Sequence, residues 1–253
     1  MLAVDHLTQI FGGVVALDDV SFEVAEHSIT ALVGPNGAGK TTLFNIVAGA
    51  YAPTAGTVRL AGRPLNGLPA HARVELGIGR TFQNALLFDK MTLLENVMVG
   101  RHARSGQGMI ASALRLPAMR QEEERIFLEA MRCLNLVGLG MHARTPAGSL
   151  PFGQQRLAAI ARALATEPRL LLMDEPAAGL NTLERQGLAD LIRTIQEMGI
   201  TVLLVEHDMR LVMQLAGWVV VLDHGRKLAE GTGDQIRKNR QVIAAYLGAE
   251  AGS

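Results

Sequence analysis

Gly34-Pro35-Asn36-Gly37-Ala38-Gly39-Lys40-Thr41 has the spacing G-x-x-x-x-G-K-[ST]. Glycines let a backbone curl so that several N–H groups point inward at phosphate oxygens. In this pattern Lys40 reaches the β- and γ-phosphates of a nucleoside triphosphate, and the Thr41 hydroxyl holds Mg²⁺. A helix beginning near Gly39 adds its positive N-terminal end to the anion site and carries Thr42 in its first turn. The flanks distinguish the stretch from a chance glycine-rich turn. Ser28–Gly34 reads as a buried strand, and Thr41–Gly49 reads as a helix stopped by glycine. That strand–loop–helix order is the context the motif needs.

A phosphate loop needs a carboxylate for its metal. Leu170-Leu-Leu-Met-Asp174-Glu175-Pro176 supplies one, as an apolar strand ending in two acids. Buried carboxylates are costly unless they meet a cation. Asp174 is the candidate for Mg²⁺, and Glu175 is the candidate general base toward an attacking water. Two more polar residues follow strands. His207 follows Thr201–Val205, at the carboxyl end where open α/β sheets gather ligand chemistry. It reads as a γ-phosphate contact or as a structural histidine. Gln83, in Arg80-Thr-Phe-Gln83, reads as a ligand of Mg²⁺ and water or as an ordinary loop glutamine.

These residues need a sheet to hold them. Leu2–Phe11, Ser21–Val24, Thr57–Leu60 and Ile78–Phe82 read as strands. From Gln154 the chain alternates: helix 154–165, strand 170–173, helix 183–198, strand 201–205, helix 209–215, strand 219–222 and strand 227–230. Short apolar strands between helices imply a parallel sheet covered on both faces. A short helix, Gln241–Leu247, ends the chain. Thr92 with Glu95 forms a capping-box pattern. Residues 104–124 read as a surface excursion ahead of a helix at Glu124–Leu136. The expected organisation is α/β: a nucleotide-binding core at 1–83 and 151–253, with a helical subdomain at 84–150.

Composition sets bounds. The 253 residues are 49% hydrophobic and 19% charged, with formal net charge +0. Charge balance of this kind does not point to nucleic acid or an anionic surface. The single cysteine, Cys133, excludes an intramolecular disulfide and reads as a small buried apolar residue. No apolar run approaches bilayer length, and Met1-Leu-Ala-Val-Asp-His lacks the basic-then-apolar pattern of a signal peptide. Membrane work would need spans from another chain.

The order and spacing of these residues resemble the nucleotide-binding subunits of ABC transporters, over nearly the whole chain. The resemblance makes Gly34–Thr42 the Walker A loop, Gln83 the Q-loop residue, Asp174 and Glu175 the Walker B pair, and His207 the switch histidine. It implies a P-loop NTPase core with an antiparallel β subdomain and an inserted helical one. Phe11 would stack on adenine, with Val14 and Val15 lining the base; a core phenylalanine is the other reading. Ala178-Gly-Leu-Asn181 stands at the D-loop, with asparagine for the commoner aspartate. Leu150-Pro-Phe-Gly153-Gln154 stands at the signature, usually Leu-Ser-Gly-Gly-Gln. There Pro151 replaces a serine and Phe152 a glycine, while Gly153 keeps an N–H for phosphate.

Arg80–Phe88, Met91–His102, Glu175–Asn181 and Val205–Met209 are similar in wording to the LivG-type subunits of branched-chain amino acid importers. That resemblance implies two ATPase subunits sandwiching two ATP molecules, with Mg²⁺, against two permeases that a solute-binding protein serves. It implies a peripheral place on the cytoplasmic face of the plasma (inner) membrane. Asn84–Val99 would meet a permease coupling helix through Leu86, Leu87, Phe88 and Met91, or those residues pack internally. A non-transport ABC ATPase, or an importer of urea, amides or aromatic acids, stands as the alternative.

Overall fold

The structure is a computed structural model that describes residues 1–81, 86–102 and 117–250. In chain order it runs β1 (Leu2–Phe11), β2 (Val14–Val24), β3 (Ile29–Val33), α1 (Lys40–Ala48), β4 (Ala55–Leu60), β5 (Arg63–Pro64), α2 (Ala70–Glu75) and β6 (Ile78–Arg80). It continues with α3 (Leu93–His102), α4 (Pro117–Leu136), α5 (Phe152–Leu164), β7 (Leu170–Asp174), α6 (Thr182–Glu197) and β8 (Thr201–Val205). The last elements are α7 (Met209–Leu215), β9 (Trp218–Asp223), β10 (Arg226–Gly231), α8 (Gly233–Lys238) and α9 (Arg240–Glu250). The chain divides into two compact units, Met1–Arg73 with Arg169–Ser253, and Val74–Pro168.

The first unit holds two sheets. One is antiparallel, in the order β2-β1-β4-β5. In β1 the buried positions are Leu2, Val4, Leu7 and Gln9. The parity changes because the register slips between Val4 and Leu7, where His6 adopts φ 49°. A bulge of this kind turns the following residues to the other face. The other sheet runs β10-β9-β3-β8-β7. Its strands from β9 to β7 are parallel, and β10 returns antiparallel on β9. Every residue of β3, β7 and β8 is buried, as two-sided parallel strands require. Ala31, Val33, Val219 and Val221 pack with Val212, Ile236 and Val242 from α7, α8 and α9.

The second unit is mostly helical, with α3, α4 and α5 packed on one another. The capping box at α3 is present: Thr92 Oγ1 accepts the Glu95 N–H at 3.2 Å, and Glu95 accepts the Thr92 N–H at 2.7 Å. Cys133 is buried on α4, and burial pushes its thiol up to about 12. Boundaries differ from the sequence reading in several places; β2 begins at Val14 rather than Ser21, because it pairs with β1 directly from the Gly12-Gly13 hairpin. α4 begins at Pro117 rather than Glu124, because proline suits a first helical turn and the polar stretch after it sustains the helix. β6 ends at Arg80 rather than Phe82. Among the described residues no helix is long and apolar enough to cross a membrane.

Candidate active site

β3 delivers the chain into the loop at Gly34, and α1 leaves it at Lys40. Gly39 is the N-cap of α1, left-handed at φ 99°, with no side chain capping the helix. The first N–H groups of α1 therefore meet no internal cap, and its first turn holds no acidic residue. An anion suits that position. The turn before β10 holds the loop: the Gly225 N–H donates to the Ala38 carbonyl at 3.2 Å, and the Asp18 N–H to the Gly225 carbonyl at 2.8 Å. At the far end of α1, the buried Arg73 donates to the Ile46 and Val47 carbonyls, so a cation meets the helix's negative end.

Lys40 is buried and folds back on the loop, donating to the Gly34 carbonyl at 2.6 Å and the Pro35 carbonyl at 2.8 Å. Burial lowers its pKa, while the charges of Glu175 and Asp174 raise it. The ammonium thus sits in the field of both acids. Pro35, Asn36, Gly37 and Ala38 complete the loop, and Asn36 and Gly37 are exposed on it. Thr41 is exposed and Thr42 half-buried on the first turn of α1.

Asp174 ends β7 and is buried, only 6% exposed, in parallel register with Val205. Glu175 follows at φ 46°. A non-glycine residue in that region is strained, and such strain persists only where the surroundings enforce it. Here the Glu175 N–H donates to the Val205 carbonyl at 2.9 Å. His207, exposed after β8, places Nδ1 3.9 Å from Glu175 Oε1. The parallel pairing of β7 with β8 therefore brings the two residues together across 32 positions of sequence. The hard oxygens of Asp174 and Thr41 suit Mg²⁺. Among the described residues no group of three or more His, Cys, Asp or Glu could hold a metal. A Mg²⁺ that takes one or two protein oxygens and completes its shell with phosphates and water needs no such group.

Phe11 ends β1 at the Gly12-Gly13 hairpin and is 42% exposed, so it is not a core residue. Its ring meets Tyr51 edge-on, with centroids 5.5 Å apart at 75°. Val14 and Val15 beside it are also exposed. Tyr51 is a neighbour that sequence reasoning did not identify. Glu206 is another: it is fully buried between the loops after β7 and β8. Gln83 lies outside the described residues, as do Asn84 and Ala85.

In the second unit, Pro151 is the N-cap of α5 at φ −55° and ψ 148°, one position before the helix. Proline fits because that φ is its own. Gly153 and Gln154 follow in the first turn, both half-buried. The Arg156 guanidinium lies over the Phe152 ring at 4.7 Å, which braces the turn in place of small residues. Asn181, in the first unit, is the N-cap of α6 in a full capping box: its side chain accepts the Glu184 N–H at 3.0 Å. A cap explains why asparagine serves there.

A family model for the ABC transporter matches residues 17–178. The chain belongs to the ABC transporter family. A second model, for the branched-chain amino acid ATP-binding cassette transporter, matches residues 226–252. The chain is 45% identical to the high-affinity branched-chain amino acid transport ATP-binding protein BraF of Pseudomonas aeruginosa, over 98% of each. It is 42% identical to LivG of Escherichia coli, again over 98% of each. Among solved structures, the ADP conformation of the cassette MJ1267 superposes with TM-score 0.86 at 30% identity, over 98% of each chain. The dimeric cassette MJ0796 bound to ADP and Pi superposes with TM-score 0.78 at 27% identity, over 92% of this chain and 98% of that one. This ABC ATPase is accordingly an ATP-binding, ATP-hydrolysing cassette.

Proposed function

We propose that this chain drives an importer for branched-chain amino acids. The observation that carries the reading is similarity over nearly the full length to subunits of that transport class, continued into the C-terminal segment 226–252. The working unit is a dimer of this chain with a homologous ATPase, docked on two permeases at the cytoplasmic face of the inner membrane. A solute-binding protein delivers cargo from outside.

Each ATP lies on the loop Gly34–Thr42, with the adenine on Phe11. Lys40 leaves the Gly34 and Pro35 carbonyls for the phosphates, and the N–H groups at the start of α1 face the same charge. Asp174, Thr41 and Gln83 would hold Mg²⁺, which when bound neutralises charge on the phosphates. Glu175 accepts a proton from the attacking water, and His207 orients that water against the γ-phosphate. Gly153 and Gln154 complete the partner's ATP rather than this one. Closure of the dimer moves the permeases, and hydrolysis resets them.

The compact unit Met1–Arg73 with Arg169–Ser253 carries the nucleotide-binding core, and the unit Val74–Pro168 the helical subdomain, wider at both ends than 84–150. Leu86 and Phe88, 61% and 52% exposed, support permease docking there. Asn96, fully buried, fixes that segment by accepting the Phe88 N–H at 2.8 Å and donating to the Phe88 carbonyl at 3.1 Å.

The test is uptake. The chain, co-purified with its permeases and partner ATPase and reconstituted with the binding protein, should accumulate labelled leucine, isoleucine or valine with ATP. ATP hydrolysis stimulated by urea, an amide or an aromatic acid, and by none of those three, would overturn the cargo assignment.

A further inference from the structure

Glu206 joins the two loops that carry Glu175 and His207. It follows β8 directly and is 0% exposed. Its Oε1 accepts the N–H of Ala177, two residues beyond Glu175, at 2.9 Å. Its Oε2 accepts the N–H of His207 at 3.2 Å and that of Asp208 at 3.5 Å. Burial raises its pKa, and those N–H groups with the neighbouring His207 oppose the rise. A carboxylate so deeply buried is retained at a cost that an apolar side chain would not incur.

The segment 175–177 is thereby attached to β8 and its exit at two points. One is the Glu175 N–H on the Val205 carbonyl at 2.9 Å, and the other is the Ala177 N–H on the Glu206 side chain. Between them Glu175 holds its left-handed backbone at φ 46°. Strain at one residue survives only when its flanks are fixed. Losing the Glu206 contact removes one of these two ties between the segment and the exit of β8, and so loosens the backbone that aims the Glu175 side chain.

We propose that Glu206 is a positioning residue for ATP hydrolysis, clamping the β7–α6 loop to the β8–α7 loop and so setting the Glu175–His207 geometry. The proposal rests on the roles given above to Glu175 and His207. The competing role is purely architectural, a carboxylate that satisfies loop N–H groups and nothing more.

Glu206→Gln separates the two. The amide keeps the shape and one acceptor. In either flip its NH₂ faces a backbone N–H, so one side of the clamp is lost. In the assembled transporter kcat should fall about 10- to 100-fold, as a displacement of about 1 Å at a reacting group does. The KM for ATP should stay within about twofold, because Lys40, the loop and Phe11 are untouched. In a His207→Ala background the loss should be smaller than in the wild type, since the His207 part of what Glu206 positions is gone while the Glu175 part remains. Glu206→Asp keeps both oxygens but is too short to span both loops, so it should fall between wild type and Glu206→Gln; it also stands in should the amide variant not fold. Wild-type kcat in both variants, a lower melting temperature with unchanged kcat, or losses that multiply with His207→Ala would each overturn the clamp. Should Glu175→Gln itself hydrolyse ATP normally, the underlying roles fail instead.

Discussion

Gly39→Ala tests how tightly the phosphate loop is built. Gly39 adopts φ 99° and ψ 1°. A Cβ there costs about 1–2 kcal/mol from the left-handed backbone alone. It would also stand 2.6 Å from the Ala16 carbonyl oxygen and 2.7 Å from Leu17 Cδ2. A backbone oxygen in a paired strand yields poorly, so overpacking adds about 1–3 kcal/mol. The sum is about 2–5 kcal/mol. A connecting loop yields more readily than a hydrogen-bonded sheet, so most of the cost should appear as loop displacement and lost ATP affinity. At 1.4 kcal/mol per decade, Kd should rise about 30- to 4,000-fold. Gly37 is the internal control. It too has a positive φ, 79°, but a Cβ there meets nothing within 4 Å. Only the backbone term applies, and Kd should rise about 5- to 30-fold. The assay is calorimetric titration of ATP into each purified variant, with thermal unfolding beside it. Wild-type affinity in Gly39→Ala, or a larger loss in Gly37→Ala, would refute the reasoning.

Three further outcomes are expected. Phe11→Ala should raise the KM for ATP about 5- to 150-fold, the worth of about 1–3 kcal/mol of base stacking, with kcat little changed. The KM for GTP should rise similarly, because every base has a π-face. Asn181→Ala removes an N-cap and should cost about 1 kcal/mol, read as a melting-temperature drop of about 2–4 °C. Cys133, with a thiol pushed up to about 12, should resist a thiol reagent at pH 8 in the native protein and react fully once unfolded. Its pKa lies above the ordinary value, so thiolate grows only as pH approaches that range.

The site was legible in the sequence where its chemistry is local. Gly34–Thr41 and Asp174-Glu175 are runs of neighbours, and the fold adds the strand or helix that each announces. Phe11 was legible in part: the glycines behind it pointed to a loop, while Tyr51 came close only through folding. Glu206 was hidden for the same reason. Its partner Ala177 lies 29 positions away, and only the β7–β8 pairing joins them. Asn181 carries a readable sign, since Glu184 stands three residues on, the spacing of a capping box. The start of α4 was misread because Gln121–Glu124 shows no apolar period, although Pro117 marks a first turn. Strand order is set by long-range pairing and leaves no local trace.

Under the proposed function Glu175 acts as the base on an ATP held by this chain's own loop. The most direct measurement of that role is ATP turnover in the assembled transporter carrying Glu175→Gln, with ATP affinity measured on the same preparation. The expected result is a fall in kcat of at least about 100-fold, the usual contribution of a positioned general base, with affinity retained. Turnover at the wild-type rate would contradict it.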